Sequence, residues 1–148
     1  MLLKFVMSPR GLALDRFLVR YLGFSLTIPV FARANGKKPH KALYLETTGS
    51  KSGKTRGVAL PFFVIDGKRL IVGSKGGAPE DPAWAKNLRA NPEAVVYIKR
   101  RKHQVLARFL QGSEREEYFN QLKSRTAGYP RYEKLTTREI PVIELRER

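Results

Sequence analysis

From Lys41 onward apolar residues recur with period two, broken at short intervals by turn residues, and this pattern limits most what the chain can become. Leu43, Leu45 and Thr47 share one parity while Ala42, Tyr44 and Glu46 share the other; Val58, Leu60, Phe62 and Val64 alternate in the same way with Ala59, Pro61, Phe63 and Ile65. Successive side chains on a pleated strand point to opposite faces, so the spacing predicts strands. Asp66-Gly67, between FFVI and KRLIVGS, predicts a two-residue hairpin turn. EAVVYI and QVLARFL predict two further strands hinged on Lys99–Lys102, and IPVIEL predicts a last one. Pro61 has no N–H for a ladder, which predicts a sheet edge or bulge at that point.

Helical spacing interrupts the strands. In DPAWAKNLRAN, Asp81 is expected as the N-cap and Pro82 at the first helical position, with Trp84, Ala85 and Leu88 on one side. Ser113 and Glu116 are expected to form a capping box opening EREEYFNQLKSR. Near the start of the chain, Leu14, Phe17, Leu18, Tyr21 and Leu22 fall on one helical stripe and Asp15, Arg16 and Arg20 on the other side, so a helix packed on its own domain through that stripe is expected. A chain of 148 residues has room for one core. Six strands with inserted helices predict an α+β fold, a small and mostly antiparallel barrel flanked by helices, in which residues 1–40 form an amphipathic helix with a connecting segment and residues 41–148 the barrel.

The uncharged run from Tyr21 to Ala32 has 12 residues, against about 20 for a spanning helix, and is not expected to cross a bilayer. Its basic flank and the triplet Ala32-Arg33-Ala34 look like an export signal, but Asp15 and the long charged lead count against one, so a cytoplasmic protein is expected. An apolar face beside Arg10, Arg16, Arg20, Arg33, Lys37 and Lys38 would also suit a peripheral position on the anionic inner face of the membrane.

The charge balance, 29 Lys plus Arg against 13 Asp plus Glu for a net +16, points to an anionic partner. Composition leaves nucleic acid, an anionic membrane and a small polyanion open. No cysteine is present, which removes thiolate chemistry and sulfur ligands, and His40 and His103 are read as surface residues, so no metal site is expected.

Two loops carry the chemistry. In ETTGSKSGKTRG, residues 46–57, glycines and serines let backbone N–H groups converge while Lys51, Lys54 and Arg56 add cationic donors, an arrangement able to hold phosphate or carboxylate and equally compatible with a solvated hairpin loop. The spacing is not that of a Walker loop. In GSKGGAPEDPAW, residues 73–84, Gly73, Gly76 and Gly77 permit close approach of a ligand, Ser74 and Lys75 add polar groups, and a helix start follows. Each loop leaves the end of a strand, and in a closed sheet two such ends can share one mouth.

TTGSKSGKTRGVALPFF, SKGGAPEDPAWAKNLRANP and GYPRYEKLTTREIPVIEL together resemble the deazaflavin (F420)-dependent nitroreductase and quinone reductase family, over about residues 43–146 and in the family's order. The resemblance implies an FMN-binding split-barrel-like fold of about six mostly antiparallel strands and an oxidoreductase. Reduced coenzyme F420 would pass a hydride to a small organic acceptor: a quinone, a nitroaromatic or an activated alkene. By position it implies Lys51 and Arg56 on the cofactor's tail phosphate with Ser52, Gly53 and Lys54 beside them, and Ser74, Lys75, Gly76, Gly77, Ala78, Trp84 and Asn87 along the deazaflavin. Ser74, Tyr129 and Tyr132 would face the reacting atoms, where a proton must reach the reduced acceptor. Thr126 stands where the nitroreductase commonly has another tyrosine, a departure that argues against nitro-prodrug reduction.

On spacing alone Trp84, Tyr129 and Tyr132 read first as packing residues, and Asn87 shares the Trp84 face with an amide able to bond a ring heteroatom. FMN, which also carries a phosphate, is the second cofactor reading. The alternatives in other classes are a non-catalytic lipid or fatty-acid carrier of the same fold at the membrane surface, and a basic nucleic-acid module built on Lys99, Arg100, Arg101 and Lys102, which no recognition motif accompanies.

Overall fold

The computed structural model describes residues 1–126 and 128–148. Six antiparallel strands form a closed barrel: β1 (Lys41–Thr48), β2 (Thr55–Ile65), β3 (Lys68–Val72), β4 (Glu93–Ile98), β5 (Arg101–Phe109) and β6 (Val142–Glu147). Around the wall the order is β1-β2-β3-β6-β5-β4, so no edge strand is left over. Both hairpin turns take the left-handed form: Asp66 and Gly67, residues suited to it, have φ of 53° and 72° between the paired Ile65 and Lys68, and Lys99 and Arg100, which are not, have 49° and 69° between the paired Ile98 and Arg101. Pro61 pairs with Ala42 on β1, while β2 meets β3 only from Phe63 onward. Its missing N–H therefore falls on a stretch of β2 that is unpaired on the β3 side.

Inside the barrel lie Leu43, Leu45, Phe62, Ile71, Val96, Val105, Ile143 and Leu145, closed at one end by Ala85 and Leu88 of helix α4 (Ala83–Ala90). A second core forms outside the wall, where Phe63, Ile65, Leu70 and Val142 meet Phe119 and Leu122 of α5 (Gly112–Arg125) and Tyr129 of α6 (Gly128–Leu135). Phe62 and Phe63 are consecutive and both buried because β2 passes between these two cores.

Two expected helix starts form differently. Helix α4 begins at Ala83 with Pro82 as its N-cap residue, and Asp81 instead accepts hydrogen bonds from Arg138 and Arg89. Helix α5 begins at Gly112 after Gln111 without a side-chain cap, and the Glu116 carboxylate accepts from Arg115 rather than closing a box with Ser113.

The N-terminal segment departs most from expectation. It folds as α1 (Leu2–Val6), α2 (Pro9–Phe17) continued by a π-turn over Leu18–Leu22, and α3 (Thr27–Ala34). Its predicted packing stripe faces outward: Leu14, Phe17, Tyr21 and Leu22 are 42–55% exposed, whereas Asp15 on the expected polar side is 5% exposed. The cause is a capping interaction. Asp15 accepts hydrogen bonds from the Ser25 hydroxyl at 2.8 Å and from the N–H groups of Leu26 and Thr27 at 2.6 and 3.0 Å, filling the otherwise open first turn of α3. Arg20 fastens the segment to the barrel, its guanidinium 3.4 Å from the Tyr97 ring centre and its Nε 3.8 Å from Glu46. Among the described residues no single helix is long and apolar enough to cross a membrane; α2 with its π-turn and α3 would reach that length together but bend by 118°.

Candidate functional site

The loop after β1 and the helix α4 enclose one cavity. It measures about 520 Å³ and is lined by Ser50, Lys51, Ser52 and Arg56 on the loop side and by Trp84, Lys86 and Asn87 on the helix side. Asn87 builds it: its Nδ2 donates to the buried Thr47 hydroxyl at 3.0 Å and its Oδ1 accepts from the Ser50 N–H at 3.0 Å, which ties the cationic loop to α4. Both ends of that amide are occupied, so Asn87 shapes the cavity through the loop. Among the described residues Lys51, Lys54, Arg56 and Lys75 form no ion pair. Of these, Lys51 and Arg56 line this cavity, and cations without carboxylate partners there favour an anion.

A second cavity of about 510 Å³ adjoins the first, and Trp84 and Val58 line both. Its floor is β2, with Leu60, Pro61 and Phe63; its end is the turn Ser74, Lys75 and Gly76; its far side is Thr126, Tyr129 and Tyr132. The two glycine-punctuated loops thus open into one groove, cationic at one end and apolar at the other. Tyr129 packs against Phe63 and Phe119 with ring centres 6.0 and 6.4 Å apart, and burial holds its hydroxyl well above the ordinary phenol range, with Tyr132 adding to the effect. It keeps its proton throughout the neutral range.

Of the residues singled out from sequence, Lys51, Ser52, Arg56, Trp84 and Asn87 line the cationic cavity and Ser74, Lys75, Gly76, Trp84, Tyr129 and Tyr132 the apolar one. Gly53, Lys54, Gly77 and Ala78 line neither. Gly53 forms the loop's tight turn with φ of 68°, the Lys54 N–H bonds the Ser52 hydroxyl, Gly77 is buried beneath α6, and Ala78 offers its carbonyl to Arg138.

Sequence reading missed the roof. Ile28, Phe31, Ala32 and Asn35, with Met7, cover the apolar cavity from the N-terminal segment. Their spacing of three, four and seven is the signal that could have disclosed a helix face. His40, read as a surface residue, also lies in the wall, its ring 4.5 Å from that of Phe63. Its Nε2 donates to the Arg125 carbonyl at 3.1 Å, which leaves Nδ1 as an acceptor. Burial lowers its pKa from the ordinary value, against the opposing effect of that hydrogen bond, so it is neutral at pH 7.

The family model for F420H(2)-dependent quinone reductase matches residues 30–147. The F420H(2)-dependent quinone reductase Rv1261c of Mycobacterium tuberculosis is 30% identical over 147 residues, covering 91% of this chain and 99% of that protein. A solved structure described as an F420-H2 dependent reductase, FDR-A, superposes with a TM-score of 0.62 at 37% identity, over 70% of this chain and 92% of the other. A second, described as a domain-swapped dimer, gives 0.63 at 37% identity over 70% of this chain and 78% of the other.

Proposed function

The chain belongs to the F420H(2)-dependent quinone reductase family, and from that premise we propose that it reduces a quinone-type acceptor, bound in the apolar cavity, at the expense of reduced F420 whose tail lies along the cationic cavity and whose ring reaches into the apolar one. The observation that carries the reading is the shared wall: Trp84 and Val58 separate a cation-lined cavity from an apolar one, as an anionic-tailed carrier and a hydrophobic acceptor require when they meet.

The residues present fit such a carrier. Lys51 and Arg56, exposed and without ion-pair partners, would hold the tail phosphate, and the turn Ser74–Gly76 would border the ring. When bound, reduced F420 supplies the hydride. The chain orients the acceptor between Trp84 and the tyrosines and keeps water away from it with the walls of β2 and α3. The reduced acceptor takes a proton, for which Tyr129, Tyr132 and Ser74 are the candidate donors. Tyr129, held protonated by burial, is suited to donate a hydrogen bond to an acceptor oxygen as negative charge grows there. Thr126 leaves the wall one aromatic hydroxyl poorer than the nitroreductase pattern, which favours a quinone over a nitro compound.

The acceptor is reached from a membrane. Among the described residues, twelve of the fifteen large hydrophobic side chains that the fold leaves exposed fall within residues 1–26. Beside them Lys4, Arg10, Arg16, Arg33, Lys37 and Lys38 are exposed as well. An apolar surface rimmed by cations matches an anionic bilayer, and Met7, Ile28 and Phe31 of the same segment roof the acceptor cavity.

Titrating the protein with oxidised F420, FMN and a fatty acid at near-physiological salt tests the reading. F420 is expected to bind best, and Lys51→Ala with Arg56→Ala to weaken it by at least about a hundredfold, each charge-assisted contact contributing roughly 1.5–3 kcal/mol. Preference for fatty acid with no F420 binding would favour the carrier alternative.

A further inference from the structure

Arg138 lies between α6 and β6, yet its guanidinium serves the turn that follows β3. Nε donates to the Ala78 carbonyl at 2.9 Å, Nη1 to the Gly73 carbonyl at 3.2 Å and to Asp81 Oδ1 at 2.8 Å, and Nη2 to the Ser74 carbonyl at 2.8 Å. Its side chain is 14% exposed. Three carbonyls of one short stretch therefore turn toward a single, largely covered cation. A lysine has one ammonium where arginine has a planar fork of donors, and it cannot span the same set.

The stretch so held is strained. Lys75, Gly76 and Gly77 are consecutive left-handed residues, with φ of 45°, 62° and 82°. Lys75 carries a Cβ that disfavours this region, and it persists there only because its surroundings fix it. Gly77 is gripped from the other side: a Cβ there would lie 2.8 Å from the Leu135 Cβ and 2.9 Å from the Tyr132 carbonyl oxygen. With the carbonyls of Gly73, Ser74 and Ala78 engaged by Arg138, the N–H groups of Lys75 and Gly76 have no hydrogen-bond partner among the described residues. Both residues line the apolar cavity beside Ser74.

We propose that Arg138 is a positioning residue for the cofactor ring: it clamps the Gly73–Ala78 turn in the left-handed form that offers the N–H groups of Lys75 and Gly76 to the ring's carbonyl edge. The inference rests on the F420 reading above. Donors fixed before the ring arrives lose little freedom on binding, whereas a relaxed turn would have to be ordered each time.

Arg138→Lys tests it, titrated by deazaflavin fluorescence with F420 and with the ring fragment that lacks the phosphate-glutamate tail, at a temperature where circular dichroism shows the variant folded. Both ligands are expected to bind about tenfold more weakly, the loss of roughly one such hydrogen bond, while Lys51→Ala weakens F420 alone. Adding Lys75→Gly to Arg138→Lys is expected to recover part of the ring affinity, because glycine holds the left-handed turn without help, a recovery that a general loss of stability would not give. Should the variant not fold, hydrogen exchange on the wild-type protein decides: the amides of Lys75 and Gly76 should exchange fast in the free protein and become protected by the tail-less ring. Ring binding within twofold of wild type in Arg138→Lys, or amides unprotected by the ring, would overturn the proposal. A wild-type protein that bound neither ligand would instead remove the cofactor reading beneath it.

Discussion

Tyr129 has a packing role and, in the proposed function, a chemical one, and a single atom separates them. Its ring sits between Phe63 and Phe119 at 6.0 and 6.4 Å, while the residue also lines the apolar cavity. Tyr129→Phe keeps the ring contacts and should melt within a few degrees of wild type, with kcat at least tenfold lower if the hydroxyl stabilises the developing oxyanion. Tyr129→Ala empties the space and should cost about 3–5 kcal/mol in a denaturant titration. Burial raises the hydroxyl's pKa, so its deprotonation lies above the usual phenol range and kcat in wild type should show no loss from this group between pH 6 and 9. An unchanged kcat in Tyr129→Phe would reassign the proton to Tyr132, Ser74 or solvent. At this scale the form of the cationic loop was legible, because Gly53 makes its tight turn locally and brings Lys51 and Arg56 to one cavity. His40 was not: its place in the wall is made by Phe63 and by the carbonyl of Arg125, 85 residues away.

Among the elements, the N-terminal helices show how one buried carboxylate can outweigh a stripe of apolar residues. Helical periodicity correctly marked a helix from about Leu14, but it could not tell which face turns inward. Asp15 decides that by capping α3, and the apolar stripe is left outside. Asp15→Ala should therefore loosen the roof rather than the barrel. The expected outcome is a loss of about 2–3 kcal/mol from the capped segment, since hydrogen bonds to a charged group are among the stronger ones. Hydrogen exchange at residues 26–34 should quicken and the KM for the acceptor rise several-fold, with F420 affinity within twofold of wild type. A matching rise in exchange along β1 and β2 would show instead that the segment and the barrel unfold as one. The two misplaced helix starts follow the same logic: Asp81 and Ser113 have the right chemistry to cap, but Arg138 and Arg89 compete for Asp81, and Arg115 engages Glu116.

For the molecule as a whole, the net charge of +16 and the exposed N-terminal surface give a measurable consequence. The protein should sediment with vesicles containing a third phosphatidylserine or phosphatidylglycerol and less with neutral ones, and the difference should shrink as salt is raised from 0.05 to 0.5 M. Phe17→Ser with Leu22→Ser should reduce the salt-resistant part, leaving F420 binding intact; equal sedimentation with neutral vesicles and no response to these changes would discard the membrane face. What the sequence determined by itself is the set of pieces: the period-two runs, the Asp66-Gly67 turn, a second turn that the structure narrows from Lys99–Lys102 to Lys99-Arg100, and the two glycine-rich cationic loops all rest on interactions between neighbours in the chain, which local order encodes. Tertiary structure alone decided that β1 closes against β4, that Trp84 stands between two cavities, that α3 roofs one of them and that Arg138 reaches back to the Ser74 turn. Each of those joins groups far apart in sequence, and their partners are selected by which surfaces remain to be buried once the barrel has closed.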